Sequence, residues 1–437
     1  MTAFPGILSK WHWGDPWPRR IDKTSPLEIT RILLGVLVTV MIIGGVALRL
    51  RAIATPPYFT FDEELFVNNA HAYLVGLPDA NDHPPLGKLI MAVGMLVFGD
   101  DPLGWRFASL CFGLQTLVIG YWLGGALFGR TGALLSAAFL ACDGFFIAYS
   151  RTGLLDGMLT CLVLWSVLLA VSAESYRGIL AAAVMVGLAA SIKWSGAMAA
   201  FPAVAAVLLL RRVPRTSLWC FIAAPVVHVL LWMGGLKLTG LPADPLSLAK
   251  TMLALLEHHL ELGNHDNAAA SHWYSWLYLY HPIVVKLSYH GAKQRYASSL
   301  GNPWLWAWTT LSALSVPLLS AGLTLWSRWR PRVRRILMGR FASGAAILWI
   351  GWLSLLLPWM IARGKYTFSY HYMPSYGFGL VLLGGSVAVL FERHRRLALG
   401  FLAIATLVSG YFAPVWGEFP LTERQANQRL LVETWRP

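Results

Sequence analysis

The amino-acid sequence predicts an all-α protein that crosses a membrane many times, and three observations lead to this fold class. Of the 437 residues, 57% are hydrophobic and 13% are charged, a balance that a soluble domain of this size does not reach. Apolar runs of about 20 residues, the length that spans a bilayer, recur from Ile32 to Ala413. The Lys and Arg residues are concentrated in alternate connections between these runs.

The apolar runs predict about eleven membrane spans. We place them at residues 32–48, 107–127, 132–149, 153–172, 178–192, 195–210, 217–236, 303–326, 341–360, 373–391 and 397–413. The chain then divides into an N-terminal arm (1–31), a transmembrane half (32–236) that includes a first long loop (49–106), a second long loop (237–302), C-terminal spans (303–413) and a tail (414–437). Both long loops are expected to carry interfacial helices.

The distribution of charge predicts the orientation of the chain. Connections on the side of the N-terminal arm hold 19 of the 35 Lys and Arg residues and five of the 21 carboxylates, so they carry the whole formal charge of +14. Lys and Arg are enriched in cytoplasmic connections, so we expect a cytoplasmic N-terminus and exoplasmic long loops and tail. Membrane topology therefore explains the basic composition, and nucleic acid is not an expected partner.

The first long loop carries an unusual polar stretch at the membrane face. Residues 56–88 hold five carboxylates and one lysine among apolar and aromatic residues. In one interpretation the loop is solvated and Asp62 or Asp82 is a helix N-cap. In the other, Phe61-Asp62-Glu63 begins an amphipathic interfacial helix, which places a functional carboxylate at the lipid boundary.

The sharper motif in this loop is Asp82-His83-Pro84-Pro85. The two prolines stiffen the backbone directly after the Asp-His pair, and Gly87 allows the chain to turn back towards the membrane. A rigid backbone of this kind is how a site is held in place.

Several motifs, in order along nearly the whole chain, resemble the protein O-mannosyltransferase family. They are FDEELF (61–66), DHPPLGK (82–88), GWR (104–106), SR with DGM (150–158), KWSG (193–196), HWYSW (272–276), GNPW (301–304) and FSYHYMP (368–374). The resemblance implies the GT-C glycosyltransferase fold. Eukaryotic members insert a soluble β-trefoil MIR module in the second loop, and residues 237–302 are too few to hold it, so the chain resembles the prokaryotic form.

The resemblance also implies an activity and its partners. Members transfer mannose, with inversion, from polyprenyl-phosphate mannose to Ser or Thr hydroxyls of proteins on the exoplasmic side. Expected partners are therefore this lipid donor, acceptor polypeptides and membrane lipid, in the cell (inner) membrane, with the secretion machinery as a further candidate. No cofactor is expected beyond the donor, and the need for a divalent cation is left open. The second-loop histidines lack metal-ligand spacing, so no metal site is predicted.

The catalytic residues implied by the resemblance are Asp62 and Glu63. A lipid phosphate is already a good leaving group, so the reaction needs one base and no general acid, unlike glycoside hydrolysis with its two carboxylates. We assign the base to Asp62 and expect Glu63 to orient the acceptor.

The substrate-binding candidates are the basic and polar groups at the exoplasmic helix ends. Arg106 is the first candidate for the carrier phosphate, although an arginine that only anchors its helix at the interface is the alternative. Asp82 and His83 contact a substrate or only lock the loop, and the sequence does not decide between these roles. The further candidates are Lys88, Arg363 and His371.

Two other functions deserve comparison. A transferase of the same fold that modifies a glycolipid, of the aminoarabinose or arabinose type, would share the acidic first loop, but it does not ordinarily carry DHPPLGK together with HWYSW and GNPW. A transporter or flippase is expected to show two related halves with broken helices, and the sequence has no such internal repeat.

Overall fold

The structure is a computed structural model that describes residues 26–79, 83–261, 269–327, 339–362 and 367–436. Within these residues most of the chain is helical. The α-helices are α1 (Pro26–Leu50), α2 (Glu63–Val75), α3 (Leu86–Phe98), α4 (Pro102–Cys142), α5 (Gly144–Tyr149), α6 (Leu155–Ser172), α7 (Tyr176–Ala190), α8 (Ala200–Leu210), α9 (Ala223–Leu238), α10 (Pro245–Glu261), α11 (Trp273–Trp276), α12 (Pro303–Ser327), α13 (Arg340–Ile361), α14 (Met373–Arg393), α15 (Arg395–Trp416) and α16 (Glu423–Asn427). Short 3-10 helices cover Trp194–Ala199, Arg215–Ile222, Ser369–Tyr372 and Glu433–Trp435.

A helix lies at each of the eleven predicted spans, which confirms the prediction of a polytopic helical membrane protein. Among the described residues, seven helices are long and apolar enough to cross a membrane by themselves. The number of eleven crossings stays a prediction, and so do the proposed region boundaries.

Helix α4 covers the predicted span 107–127 and the first part of the span 132–149, which α5 completes. Its backbone leaves the helical conformation at Gly129, which has φ of +78°. A Cβ at Gly120 would meet Leu140, and one at Gly124 would meet Ser136, so the two limbs of α4 pack closely against each other as a hairpin. Because φ is positive at Gly129, glycine is the residue best suited to this turn.

Two features of the long loops were not predicted from the sequence. The first loop contains helix α2, which begins within the predicted Phe61-Asp62-Glu63 stretch, and also the short apolar helix α3, whose position no motif predicted. The second loop contains strands β1 (Val284–His290) and β2 (Lys293–Ser298), which pair antiparallel, and β2 also pairs with β3 (Leu421–Thr422) of the tail. The helical fold class is confirmed, and the small sheet is an addition that was not predicted, because seven residues of mixed polarity are a weak signal beside the long apolar runs.

The protein core lies among the central helices. Almost every side chain of α6 and most of those of α14 are buried, and both helices pack against α4. Large apolar side chains are exposed on outer helices, for example Leu318 on α12 and Leu407 on α15. Such exposure is expected where lipid is the solvent. The core thus supports the helix ends where the predicted site lies.

Candidate active site

The Asp62-Glu63 pair stands at the start of helix α2. Phe61 has φ of +50°, a left-handed conformation that is uncommon for an aromatic residue and that turns the chain directly before the pair. Asp62 occupies the N-cap position, but its side chain makes no capping hydrogen bond. Asp62 is half-buried and Glu63 is fully buried, so the two neighbouring carboxylates lie in different surroundings.

Glu63 is held from several sides. Its Oε1 accepts hydrogen bonds from Arg106 Nε at 2.7 Å and from the Gly153 amide at 2.7 Å. Its Oε2 accepts from Arg106 Nη2 at 2.9 Å, from the Thr60 amide at 3.0 Å and from the Thr60 hydroxyl at 2.7 Å. Both oxygens are thus occupied by protein groups. Glu63 fastens the loop to the segment after α5 instead of facing an acceptor.

Arg106 is fully buried near the start of α4, and its donors are all used within the protein. Besides the two bonds to Glu63, Nη1 donates to the carbonyls of Ile53 and Pro56, both at 3.1 Å, and Nη2 donates to the carbonyl of Tyr58 at 3.2 Å. A guanidinium has five N–H donors, so none is left for a lipid phosphate in this arrangement. The geometry favours a role for Arg106 in shaping the loop and does not support its predicted contact with the carrier phosphate.

The charge state of Glu63 follows from these contacts. Burial raises the pKa of its carboxyl, but the hydrogen bonds from Arg106, the charge of Lys286 and the Gly153 amide outweigh burial and bring the pKa below its ordinary value of 4.5. Glu63 is therefore ionised at neutral pH and is a poor candidate for accepting a proton.

Asp62 lies among aromatic and charged groups contributed by other helices. The phenol of Tyr149, at the end of α5, is close enough to interact electrostatically with Asp62 and with Asp156. The ring of Phe61 meets the ring of Tyr370 edge to face at 5.9 Å, and the rings of Tyr149 and Tyr370 are 6.4 Å apart. Asp62 thus borders a region that contains a second buried carboxylate.

That second carboxylate, Asp156, is paired with Lys193. Lys193 Nζ donates to both Asp156 oxygens at 2.9 Å, and it lies 5.1 Å from the ring centre of Tyr370. The pair joins the start of α6 to the turn after α7. It brings together the predicted motifs DGM and KWSG, which are 37 residues apart in the chain.

Three histidines lie near the pair of Asp156 and Lys193. His83 and His371 both interact electrostatically with Lys193 and with His259 of α10, and the rings of His83 and His259 are 5.5 Å apart. His371 stacks on Trp359 at 3.8 Å, and its Nδ1 accepts a hydrogen bond from the Phe368 amide. The neutral ring therefore carries its proton on Nε2. Lys193 and these histidines form a cluster of donors, which we call the Lys193 cluster.

The pKa of His83 is lowered well below its ordinary value. Burial is the largest cause, and the positive charge of Lys193 and the neighbouring His259, Lys88 and His371 add to it. His83 is consequently neutral at physiological pH, so it can donate a hydrogen bond without contributing a charge.

The remaining predicted site residues fall outside the Lys193 cluster or outside the described residues. Lys88 is buried and pairs with Asp79, whose carboxylate also accepts a hydrogen bond from the Tyr73 hydroxyl at 2.8 Å. This arrangement ties the loop together and does not support a substrate contact by Lys88. Asp82 and Arg363 lie outside the described residues, so their predicted roles stay predictions.

Comparisons with known proteins identify the family of this chain. A family model described as dolichyl-phosphate-mannose-protein mannosyltransferase matches residues 82–233, and a model described as the C-terminal four TMM region of protein-O-mannosyltransferase matches residues 246–435. The two matches follow each other and together cover most of the chain. This chain belongs to the protein O-mannosyltransferase family.

The relatives and solved structures extend over nearly the same residues. A polyprenol-phosphate-mannose–protein mannosyltransferase of Corynebacterium glutamicum is 23% identical over 440 residues, covering 81% of each chain. A chain of the S. cerevisiae protein O-mannosyltransferase Pmt1-Pmt2 complex, solved with its sugar donor, superposes with a TM-score of 0.77 at 13% identity and covers 95% of this chain and 94% of that one. ArnT from Cupriavidus metallidurans bound to undecaprenyl phosphate gives a TM-score of 0.55 at 12% identity, over 90% of this chain and 77% of that one. The GT-C fold prediction is confirmed.

Two charged residues of this protein O-mannosyltransferase were missed by the sequence interpretation. Lys286 of β1 and Glu418 after α15 are both buried and lie 3.4 Å apart. Neither residue belongs to a recognisable sequence motif, and the two come into contact only in the folded protein. Among the described residues, no group of three His, Cys, Asp or Glu side chains could hold a metal ion.

Proposed function

We propose that this membrane mannosyltransferase transfers mannose from polyprenyl-phosphate mannose to Ser and Thr hydroxyls of polypeptides, with Asp62 as the base. The observation that carries the assignment is the difference between two adjacent carboxylates. Both oxygens of Glu63 accept hydrogen bonds from buried protein groups, whereas Asp62 is half-buried and borders the Tyr149 and Tyr370 side of the loop.

In the proposed reaction the acceptor hydroxyl attacks C1 of mannose from the face opposite the phosphate. The new C1–O bond forms as the bond from C1 to the phosphate oxygen breaks, and the electron pair leaves with the carrier phosphate. Asp62 takes the proton of the hydroxyl. A single displacement of this kind inverts the sugar centre. No cofactor takes part in the proposal.

The Lys193 cluster is the proposed site for the carrier phosphate. Two of the three N–H bonds of Lys193 are directed to Asp156, and His83 and the Nε2–H of His371 add neutral donors beside it. Donors aimed at a phosphate stabilise the negative charge that develops as the bond to mannose breaks. Arg363 stays a proposed donor as well. Arg106 is instead assigned to the positioning of Glu63 and its loop.

The site is proposed to face the exoplasmic side of the cell membrane, with the N-terminus in the cytoplasm. The bias of Lys and Arg towards the connections on the side of the N-terminal arm supports this orientation. Acceptor polypeptides reach that side through the secretion machinery, which is therefore a proposed partner.

The test uses the purified full chain in lipid nanodiscs with polyprenyl-phosphate mannose and a Ser/Thr-rich peptide. Wild type should add a hexose to the peptide, detected by mass spectrometry. Asp62→Asn should lower kcat by about 10²- to 10⁴-fold, the usual contribution of a general base, while donor binding is kept. Glu64→Gln, at the exposed neighbour of the pair, is the matched control and should retain wild-type activity.

Two results would contradict the proposal. Wild type that adds no hexose to the peptide, but does modify a glycolipid in the same nanodiscs, would reject a protein as the acceptor. Full activity in Asp62→Asn would reject Asp62 as the base.

A further inference from the structure

The part of the chain that runs from the last residue of α15 through β3 lies against both long loops. We call residues 416–422 the tail segment. The carbonyl of Trp416 accepts a hydrogen bond from Arg151 Nη1 at 2.7 Å, and the carbonyl of Gly417 accepts one from Arg51 Nε at 2.9 Å. The Arg51 guanidinium also lies 3.8 Å from the ring centre of Phe419. β3 adds pairs to β2, so the segment is fixed at both ends.

Glu418 is the buried charge of the tail segment. It is 4% exposed and has φ of +54°, a left-handed conformation that costs free energy in a residue other than glycine. Its carboxylate forms ion pairs with Arg151 Nη2 at 3.0 Å and with Lys286 Nζ at 3.4 Å. The strained backbone therefore directs the Glu418 carboxylate towards two buried cations.

Lys286 connects the tail segment to the loop that carries Asp62. Its Nζ donates to the carbonyl of Arg151 at 2.6 Å and to the carbonyl of Thr55 at 3.3 Å. Thr55 lies within the stretch 53–58 whose carbonyls Arg106 also holds. Lys286 and Arg106, from distant parts of the chain, thus both donate hydrogen bonds to carbonyls of residues 53–58. This stretch ends five residues before Glu63.

We propose that Glu418 and Lys286 are positioning residues that hold the catalytic loop, residues 53–63, in its active geometry. The tail segment thereby gains a role that its sequence does not suggest. The kinetic part of this inference rests on the proposed function. A displacement of about 1 Å in a catalytic group can cost about 100-fold in rate, so a contact remote from the substrate can still control kcat.

The environment of Lys286 makes the ion pair between Lys286 and Glu418 dependent on pH. Burial is the largest cause that lowers its pKa, which lies at about 8; Glu418 and Glu63 raise it, and Arg106 and Arg151 lower it further. Lys286 loses its proton as pH rises through this value, and the ion pair with Glu418 then loses its attraction. We expect kcat to fall above about pH 8 and Lys286→Arg to shift that fall to higher pH, because a guanidinium stays charged.

The main experiment compares Glu418→Gln with wild type in the full chain in nanodiscs. We expect kcat to fall about 10-fold or more, because the loop is displaced, while the KM values for donor and peptide stay unchanged. Lys286→Met should behave like Glu418→Gln, and Lys286→Arg should recover most of the activity. Glu423→Gln, at an exposed carboxylate of the same tail, is the matched control and should leave kcat unchanged.

A second measurement does not depend on mannosyl transfer. Hydrogen–deuterium exchange of the amides in residues 53–63 should become faster in Glu418→Gln and stay slow in Glu423→Gln. This comparison stands even if wild type shows no transfer, so failure of the proposed function and failure of the positioning role are distinguishable.

Removal of one charge leaves its partner buried without compensation, which can unfold a variant. The double variant Lys286→Met with Glu418→Gln removes both charges, and it should fold and still show low kcat and fast exchange. Unchanged kcat with unchanged exchange would overturn the proposal. A rise in donor KM at constant kcat would overturn it too, because Lys286 would then bind substrate.

Discussion

Two charged clusters lie near Asp62, and they differ in how many of their polar groups have hydrogen-bond partners within the protein. In the first, Arg106 and Glu63 hold each other, and all five guanidinium donors and both carboxylate oxygens have protein partners. In the second, Lys193 directs two of its three N–H bonds to Asp156, and the neighbouring histidines add neutral donors.

This difference is our reason for proposing that the Arg106–Glu63 pair supports the loop and that the Lys193 cluster binds the carrier phosphate. A buried ion pair with every group satisfied can only hold the backbone around it, since a ligand would have to displace an existing bond. Among the described residues, no hydrogen-bond acceptor is assigned to the third N–H of Lys193 or to the Nε2–H of His371, and donors of this kind can accept an anion at little cost. We therefore expect residues of the same charge to have different roles within one site, and variants of the two clusters to fail in different ways.

The largest expected effect comes from breaking the satisfied cluster. Arg106→Ala leaves Glu63 buried without its partner and removes three bonds to loop carbonyls, so we expect a loss of about 3 to 5 kcal/mol in the free energy of unfolding. Thermal or denaturant unfolding in detergent measures it. Arg396→Ala, at an exposed arginine of α15, is the control. A stable Arg106→Ala variant with weakened donor binding would instead restore Arg106 as the phosphate contact.

Substitutions in the Lys193 cluster should weaken donor binding without unfolding the protein. The double variant Lys193→Gln with Asp156→Asn keeps amide hydrogen bonds but removes both charges. We expect the protein to fold and the Kd for polyprenyl-phosphate mannose to rise about 10- to 150-fold, equivalent to about 1.5 to 3 kcal/mol for a hydrogen bond to a charged group.

Fluorescence or calorimetric titration with the donor measures that Kd. Lys237→Met removes an exposed lysine at the end of α9 and should leave the Kd unchanged. If the double variant unfolds easily yet binds donor normally, the division between the two clusters is wrong.

A smaller effect is expected for one neutral donor of the Lys193 cluster. His371→Phe keeps an aromatic ring on Trp359 but removes Nε2–H, so kcat/KM should fall about 2- to 10-fold, as for the loss of one ordinary hydrogen bond of about 0.5 to 1.5 kcal/mol. Initial rates at low donor concentration measure it, with exposed His394→Phe as the control. An unchanged rate would remove His371 from the donor site.

The smallest expected effect concerns how the stability of the folded protein changes at acidic pH. Because the pKa of folded Glu63 lies below its ordinary value, its ion pair stabilises the protein at pH above the unfolded carboxyl pKa, and this contribution is lost as pH falls through the lowered value. Glu63→Gln should therefore flatten the fall of the unfolding midpoint at acidic pH. Glu64→Gln should keep the wild-type slope, and an equal slope in all three proteins would contradict the assigned charge state.

The sequence predicted the helical architecture well because a membrane leaves few options. Backbone groups in lipid must be satisfied within each segment, so a long apolar run is a helix. The same reasoning could not find the small sheet, where Lys286 is buried within a short strand of mixed polarity.

The motifs also located the candidate site but not its internal pairings. Asp156 lies in the DGM motif and Lys193 in the KWSG motif, and a spacing of 37 residues does not indicate contact. The distinction between Asp62 and Glu63 depends on the left-handed turn at Phe61, and no residue type at that position predicts such a turn.

The contact between Arg51 and Gly417 spans 366 residues of sequence. At a synthesis rate of about 5 to 20 residues per second, the first loop would be made roughly 20 to 70 s before its partner in the tail segment. During that time residues 53–58 lack the tail segment, and Lys286 itself follows Thr55 by 231 residues. A nascent chain can therefore fold its first helices before the catalytic loop is assembled, and the loop gains all of its contacts only after the tail segment has been made.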